Sequence, residues 1–251
     1  MKHLLLAPIV ERERLATDLV RLTLEAPAIA ADFQPGQFVN VKVADEDYPL
    51  LRRPLSIQDS DGRSWISLVF RIVGLGTKLL AGQPVGEPLD VIGPLGEPFR
   101  IDAARHALLI GGGVGIPPIN ALQRELARRQ ISHTALLGLR TADESGLAGA
   151  LPEQAEECLI STDDGTLGHH GFVTDLLAER LSADVAVYAC GPGPLLRKII
   201  ALCKEVGAPA QVSFEQQMAC GVGACIGCSI ETNRGYQRVC SEGPVFDAAL
   251  F

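Results

Sequence analysis

Four of the seven cysteines in this 251-residue chain, Cys220, Cys225, Cys228 and Cys240, are spaced as C-x4-C-x2-C-x11-C. Three close thiolates followed by a distant fourth are the arrangement by which a loop wraps a plant-type 2Fe-2S cluster, and the chemistry expected of it is one-electron transfer. Gly221, Gly223 and Gly227 lie between the ligands. There the backbone has to curl tightly and turn its N–H groups toward sulfur, which bulky residues would obstruct. Tetrahedral zinc is the rival occupant of four thiolates. Structural zinc usually draws on two short Cys-x2-Cys knuckles, and only Cys225 and Cys228 have that spacing. Cys158, Cys190 and Cys203 sit in apolar runs and read as core residues.

A second chemistry is written in glycine. Gly111, Gly112, Gly113 and Gly115 separate the apolar run HALLI from an amphipathic stretch that begins near Pro117. A strand, a glycine turn and a helix N-terminus in that order can receive a pyrophosphate. The third glycine of the dinucleotide fingerprint is replaced by Pro118, so taken alone the run is equally compatible with a tight turn. A second turn of the same kind, Cys190-Gly191-Pro192, follows the apolar run VAVYA and opens another helical stretch. Two such turns at the carboxyl edge of one sheet would delimit a single crevice.

The elements that must hold these residues change character along the chain. Residues 1–101 contain short alternating runs, LVRLTLEA, QFVNVKV, SWISLVFRIV and PLDVIGPLG, broken by Gly, Pro and Asp, and they predict an antiparallel β-barrel. Residues 102–210 alternate strands (HALLI, HTALLGLR, ECLISTD, VAVYACGP) with helices (around Leu122, Leu126 and Ile131, then GFVTDLLAERL and PLLRKIIALCKEVG), which predicts a doubly wound parallel sheet. Residues 211–251 are rich in Cys and Gly and too irregular for ordinary packing, so they form a third, metal-organised segment. The fold class expected is α+β in the first unit and α/β in the second.

Composition narrows the partners. A hydrophobic content of 47% supports a sizeable core, and a net charge of -8 without a basic patch argues against nucleic acid. The opening MKHLLLAPIVERERL loses its apolar character at Glu11 to Arg14 and reads as a first strand, neither a signal peptide nor a membrane span. Spaced cysteines without a secretory signal are those of a cytoplasmic protein. His169-His170 lies in a Gly-bounded turn, and no dense acid/base constellation for oxidising an organic substrate is evident.

Taken together, LRRPLSI at residues 51–57, GLGTK at 74–78, GPLG at 93–96, GGGVGIPP at 111–118, GFVTD at 171–175, the Cys-Gly-Pro turn and the ending CSEGPVF resemble the ferredoxin-NADP reductase family. The likeness runs over nearly the whole chain. It implies that the barrel holds FAD, with Arg53 on the flavin pyrophosphate and Pro54, Leu55 and Ser56 completing the motif, Ser56 near the isoalloxazine N5. A guanidinium pairs phosphate oxygens by two parallel hydrogen bonds. Phe70-Arg71-Ile72 and Gly76-Thr77 would add flavin contacts, although by their residues alone they read as a strand and a helix cap.

The same resemblance implies NAD in the sheet domain, with GGGVG under its pyrophosphate and Cys190, Gly191 and Pro192 beside the nicotinamide. The ribose-binding acid is not clearly placed, because Arg140 comes first and Asp143 later. Within the family the likeness is to subunits that pass electrons from FMN on a separate dihydroorotate-oxidising chain through 2Fe-2S and FAD to NAD+, in a heterotetramer of two chains of each kind. Related subunits of hydrogenases, sulfide dehydrogenases and transhydrogenases share these features and are the alternative.

Overall fold

Period-two alternation dominates the first hundred residues, and the computed structural model, which describes residues 1–44, 48–149 and 151–251, turns it into six antiparallel strands. They are β1 (His3–Ala16), β2 (Leu19–Glu25), β3 (Phe38–Val41), β4 (Arg53–Ser60), β5 (Trp65–Arg71) and β6 (Pro88–Leu95), closed into a barrel in the order β1-β2-β5-β4-β3-β6. Val20, Leu22 and Leu24 of β2 meet Ile66, Leu68 and Phe70 of β5 in the barrel core. Two short helices, α1 (Pro27–Asp32) and α2 (Leu75–Gly82), add Ile29, Ala30 and Leu80 to that core. Closure leaves no open sheet edge.

The second unit is built on a sheet of seven strands. In chain order these are β7 (His106–Gly112), β8 (His133–Leu139), β9 (Glu157–Thr162), β10 (His169–His170), β11 (Val185–Cys190), β12 (Ala210–Ser213) and β15 (Val245–Asp247). Their spatial order is β10-β9-β8-β7-β11-β12-β15, parallel throughout except for β15. Both faces are covered, as the near-continuous apolar strands require. Ala107 and Leu109 of β7 point into a cluster with α3 (Ile116–Arg128) and α4 (Leu151–Gln154). Leu108 and Ile110 point the other way, toward α5 (Val173–Ala178) and α6 (Gly193–Val206). Helix α3 carries Pro117 and Pro118 in its first turn, where missing N–H groups cost nothing, and buries Ile119, Leu122 and Leu126 on one stripe.

The cysteine-bearing stretch is tethered at both ends to this sheet. It leaves from β12, forms the hairpin of β13 (Ser229–Thr232) and β14 (Gly235–Arg238), and returns as β15 alongside β12. The division between residues 210 and 211 thus falls inside β12. Phe38 and Leu95 of the barrel pack with Met218, Cys228, Val239, Cys240 and Phe246, and the N–H of Glu97 donates to the carbonyl of Gly243 at 2.6 Å. The GPLG and CSEGPVF motifs, remote in sequence, meet at this seam. Between barrel and sheet, the buried Tyr188 hydroxyl accepts from the N–H of Asp102 at 2.8 Å. His169 and His170, expected in a turn, form the exposed edge strand β10. Among the described residues no helix is long and apolar enough to cross a membrane.

Candidate functional site

Strand β4 opens at Arg53, and its guanidinium crosses the start of α2. A Cβ added to Gly76 would lie 2.5 Å from Arg53 Cζ, so the side chain has this course only because residue 76 is glycine. Arg53 Nη1 donates to the carbonyl of Leu51. Thr77 is committed to its own turn, accepting from the N–H groups of Val73 (3.0 Å) and Gly74 (3.2 Å). Pro54 and Ser56 are half-buried, and Leu55 is buried. At the end of β5 the Phe70 side chain belongs to the barrel core, and Ile72 packs against it. Arg71 is ion-paired with Asp18 at 2.6 Å and Glu144 at 2.9 Å.

The two glycine turns meet at the sheet's switch point. The chain runs outward from β7 to β10 and then resumes at β11 on the other side of β7, so the carboxyl ends of β7 and β11 flank a crevice. The cavity there measures about 520 Å³ and is lined by Gly112 at the end of β7 and Gly113 and Val114 beyond it, by Arg140 after β8, and by Pro192 and Lys198 of the second turn and α6. Gly115 is pressed so close to the end of β11 that a Cβ on it would lie 2.5 Å from the Gly191 nitrogen. Gly111 is spent on packing, since a Cβ there would meet Ile116 at 2.8 Å.

Cys190 ends β11 in full burial, which holds its thiol protonated, and the charge of Glu215 pushes the same way. Sequence reasoning missed Glu215, two residues past the end of β12. Its surface reaches solvent, yet its carboxyl is crowded by protein and pushed up by that burial. Asp163, after β9, also lines the crevice and was not anticipated. Cys158 and Cys203 are raised to about 11 by burial alone, as core thiols are.

The four spaced cysteines come together as two pairs. All four thiols are free: the Cys225 thiol and N–H hydrogen-bond to Cys220, and the N–H of Cys240 donates to Cys228 Sγ at 3.4 Å. Among the described residues no three His, Cys, Asp or Glu side chains converge as they would on a single ion. Two pairs of thiols divide as the ligands of a two-iron centre divide, and this fits the cluster better than zinc. Cys220 Sγ accepts from the N–H groups of Val222 (3.5 Å) and Ala224 (3.3 Å). Burial alone would raise this thiol, but these groups, with the N–H and thiol of Cys225, bring it down to about 6. Burial and then Cys228 push Cys240 up to about 11. Gly221 and Gly223 both take left-handed backbone, at φ 68° and 88°, which lets the loop curl. Arg238, paired with Glu242, donates to the Gly223 carbonyl at 2.7 Å and braces the curl.

This loop also reaches the barrel. A Cβ on Gly221 would run into the carboxamide of Asn40, which is fully buried with neither Oδ1 nor Nδ2 paired. Asn40 lies on β3 directly opposite Pro54 of the R-P-L-S segment. The cysteine loop, β3 and β4 are therefore successive neighbours, and the buried amide aimed at the loop is a free partner for a group held there.

Comparison with known proteins bears on the same three regions. Residues 6–99 match the family described as the oxidoreductase FAD-binding domain, and residues 215–251 match the iron-sulfur cluster binding domain of dihydroorotate dehydrogenase B. The chain is similar to the dihydroorotate dehydrogenase B (NAD(+)) electron transfer subunit of Geobacillus thermodenitrificans, at 40% identity over 96% of this chain and 95% of the relative. The subunit of the same name from Lysinibacillus sphaericus is 38% identical over 95% and 94%. Among solved structures, an NADH-dependent reduced ferredoxin-NADP oxidoreductase that performs flavin-based electron bifurcation superposes with a TM-score of 0.88 at 28% identity, covering 98% of this chain and 89% of that one. With relatives this similar matched from end to end, the chain belongs to the family of dihydroorotate dehydrogenase B electron transfer subunits.

Proposed function

We propose that this chain is the electron transfer subunit of an NAD-dependent dihydroorotate dehydrogenase, carrying electrons from FMN on a catalytic partner through 2Fe-2S and FAD to NAD+ in pyrimidine biosynthesis. The observation that carries this reading is the contiguity of the cysteine loop with the R-P-L-S strand through Asn40, on a chain whose glycine turns form one crevice. Flavin, when bound, supplies the junction between two-electron hydride chemistry and single-electron steps.

The residues divide the work. Cys220, Cys225, Cys228 and Cys240 hold the cluster, and the exposed side of Cys225 faces outward with Val222 and Ile226, an apolar rim suited to a partner chain. Arg53, beside Gly76 and Thr77, takes the flavin pyrophosphate, and Pro54, Leu55 and Ser56 border its ring. The end of β5, Phe70 to Ile72, closes the flavin site through backbone. Gly111, Gly112, Gly113 and Gly115 give NAD a floor without side chains, and Cys190, Gly191 and Pro192 border the nicotinamide. The buried thiol of Cys190 stays neutral there and excludes water. Residues 1–101, 102–210 and 211–251 are the FAD, NAD and cluster units of a cytoplasmic heterotetramer with two catalytic chains.

The likeness to the NADH-dependent ferredoxin-NADP oxidoreductase favours one second reading, in which the same carriers serve a partner of a hydrogenase, sulfide dehydrogenase or transhydrogenase type. Co-purification of the natural partner separates them. An FMN-bearing chain that oxidises dihydroorotate is expected. A partner that delivers electrons from hydrogen, sulfide or ferredoxin, or a preparation holding zinc without iron, sulfide or flavin, overturns the first reading.

A further inference from the structure

Strand β1 breaks the alternation that its neighbour in the barrel keeps. Leu5, Ala7 and Ile9 face the barrel core, so Leu4, Leu6 and Val10 point outward, where they stay 69%, 67% and 47% exposed. A strand with one solvated face normally carries polar residues on it. Strand β2 does so, turning Arg21, Thr23 and Glu25 outward, and β1 itself becomes polar in the run from Glu11 to Arg14. Its first half is instead apolar on both faces, the pattern of a strand covered on both. Backbone bonds from Ile9 to residues 86 and 87 carry the exposed Val85 to the Val10 end of the same stripe. Several large apolar side chains side by side, unlike scattered single ones, mark a surface that meets a partner.

The bare stripe adjoins the cysteine loop. Leu4 lies opposite Ile92 of β6, and Ile92 lies opposite Asn40 of β3. Ile92 packs against the hydrophobic seam of the cysteine segment, and Gly221 presses on Asn40. That segment therefore covers the outer barrel wall over β3 and β6 and stops short of β1. Neighbouring strands run about 4.8 Å apart, so Leu4 stands about 10 Å from the point where the loop meets Asn40. One step along the strand, Leu6 is opposite Asp90, whose carboxylate pairs with Arg52 at 2.6 Å and gives the apolar surface a polar border.

A stable complex of two chains buries about 800 Å² on each, drawn from about 20–30 residues. The outward rim of the loop, Val222, Cys225 and Ile226, is a small part of such an area. A footprint centred on the loop has to spread, and β1 offers large apolar side chains directly beside it. We propose that the outer face of β1, led by Leu4 and Leu6, is a second half of the docking surface for the FMN-bearing catalytic chain, which then lies across the cysteine loop and the barrel wall together. This rests on the electron-transfer reading given above and adds to it where the partner sits. Contact at the loop alone would let the partner pivot, whereas a second contact about 10 Å away restrains its flavin relative to Cys225.

Leu4→Glu and Leu6→Glu test the surface, because each sets a charge on an exposed face and leaves the barrel core untouched. The purified holoprotein, with flavin and cluster in place, is titrated calorimetrically with the FMN-bearing, dihydroorotate-oxidising chain of the same organism. Each variant is expected to bind at least about tenfold more weakly than the parent. Flavin content, the cluster's electron paramagnetic resonance signal and NADH-to-dye activity are expected to stay at parental values. Undiminished affinity in both variants overturns the docking surface and leaves the electron-transfer reading standing. A parent protein that binds no such chain overturns both. A parent that dimerises on its own in sedimentation, and loses this in Leu4→Glu, assigns the face to a second copy and overturns the proposal. Where glutamate disturbs flavin or cluster content, Leu4→Thr with Leu6→Thr suits a solvated strand and takes its place, and unchanged affinity in that variant is equally fatal.

Discussion

The guanidinium of Arg53 lies where a side chain on Gly76 would have to be: a methyl group there would sit 2.5 Å from Arg53 Cζ. The obstacle is the flexible end of an arginine, so in Gly76→Ala the arginine swings aside and the fold persists. A melting temperature within a few degrees of the parent apoprotein is expected, together with FAD affinity weakened about tenfold or more, the scale of one charge-assisted hydrogen bond. Flavin-to-protein ratios after dialysis and fluorescence titration measure this. Undiminished flavin retention would remove Arg53 from the pyrophosphate.

Gly115 tests the nucleotide crevice in the opposite way, because the atoms that an added methyl would meet are the backbone of Cys190 and Gly191. Neither can swing aside. Gly115→Ala is expected to cost about 1–3 kcal/mol, as overpacking does, and to force the two turns apart. In an NADH-to-dye assay the KM for NADH rises several-fold while flavin content stays at the parental ratio. A normal KM in a folded variant would show that the close approach of the turns does not shape the nucleotide site.

Glu144 joins the two units electrostatically. Its carboxyl accepts from the N–H of Arg140 and pairs with the guanidinium groups of Arg140 and Arg71, the latter from the barrel strand β5. Burial raises its pKa, but these partners together outweigh burial and hold it below the usual glutamate value of 4.5. A carboxyl depressed in the folded state contributes stability above its unfolded pKa and loses it as pH falls through the folded value. Glu144→Gln is therefore expected to unfold about 2 kcal/mol more easily at pH 7, the scale of a hydrogen bond to a charged group. The gap between variant and parent closes below about pH 4.5. Urea unfolding at several pH values checks this; a gap that does not narrow as pH falls below about 4.5 would show that packing, not charge, is what glutamine disturbs.

Much of this architecture was legible in sequence because periodicity and glycine placement are local signals. Val20, Leu22 and Leu24 announce a half-buried strand, and Ile119, Leu122 and Leu126 a helix stripe. The cysteine spacing marks its loop without reference to anything else. Relationships that close over long stretches of chain left no such mark. Asp18, Arg71 and Glu144 are ordinary charges until the fold brings them together, and nothing in QFVNVKV reveals that Asn40 is the residue against Gly221. The return of Val245–Asp247 to the sheet is equally hidden, since three residues are too few to show a period.

Cys225 separates the carriers. It is the exposed member of its pair, while Cys228 and Cys240 are buried beneath the barrel and sheet, and it lines no part of the nucleotide crevice. Serine in its place keeps the size of the side chain but offers a hydroxyl, a far poorer iron ligand than thiolate at neutral pH. Loss of the cluster's electron paramagnetic resonance signal, or a shift in it, is expected on reduction of Cys225→Ser. Electron transfer to the catalytic partner should fall at least about a hundredfold, whereas NADH-to-dye activity, which needs only the crevice and the flavin, should remain within about twofold. The hydrophobic seam of Phe38, Leu95 and Phe246 holds the loop from below, so flavin content is expected to survive the change. Equal loss of both activities would count against the order of carriers proposed here.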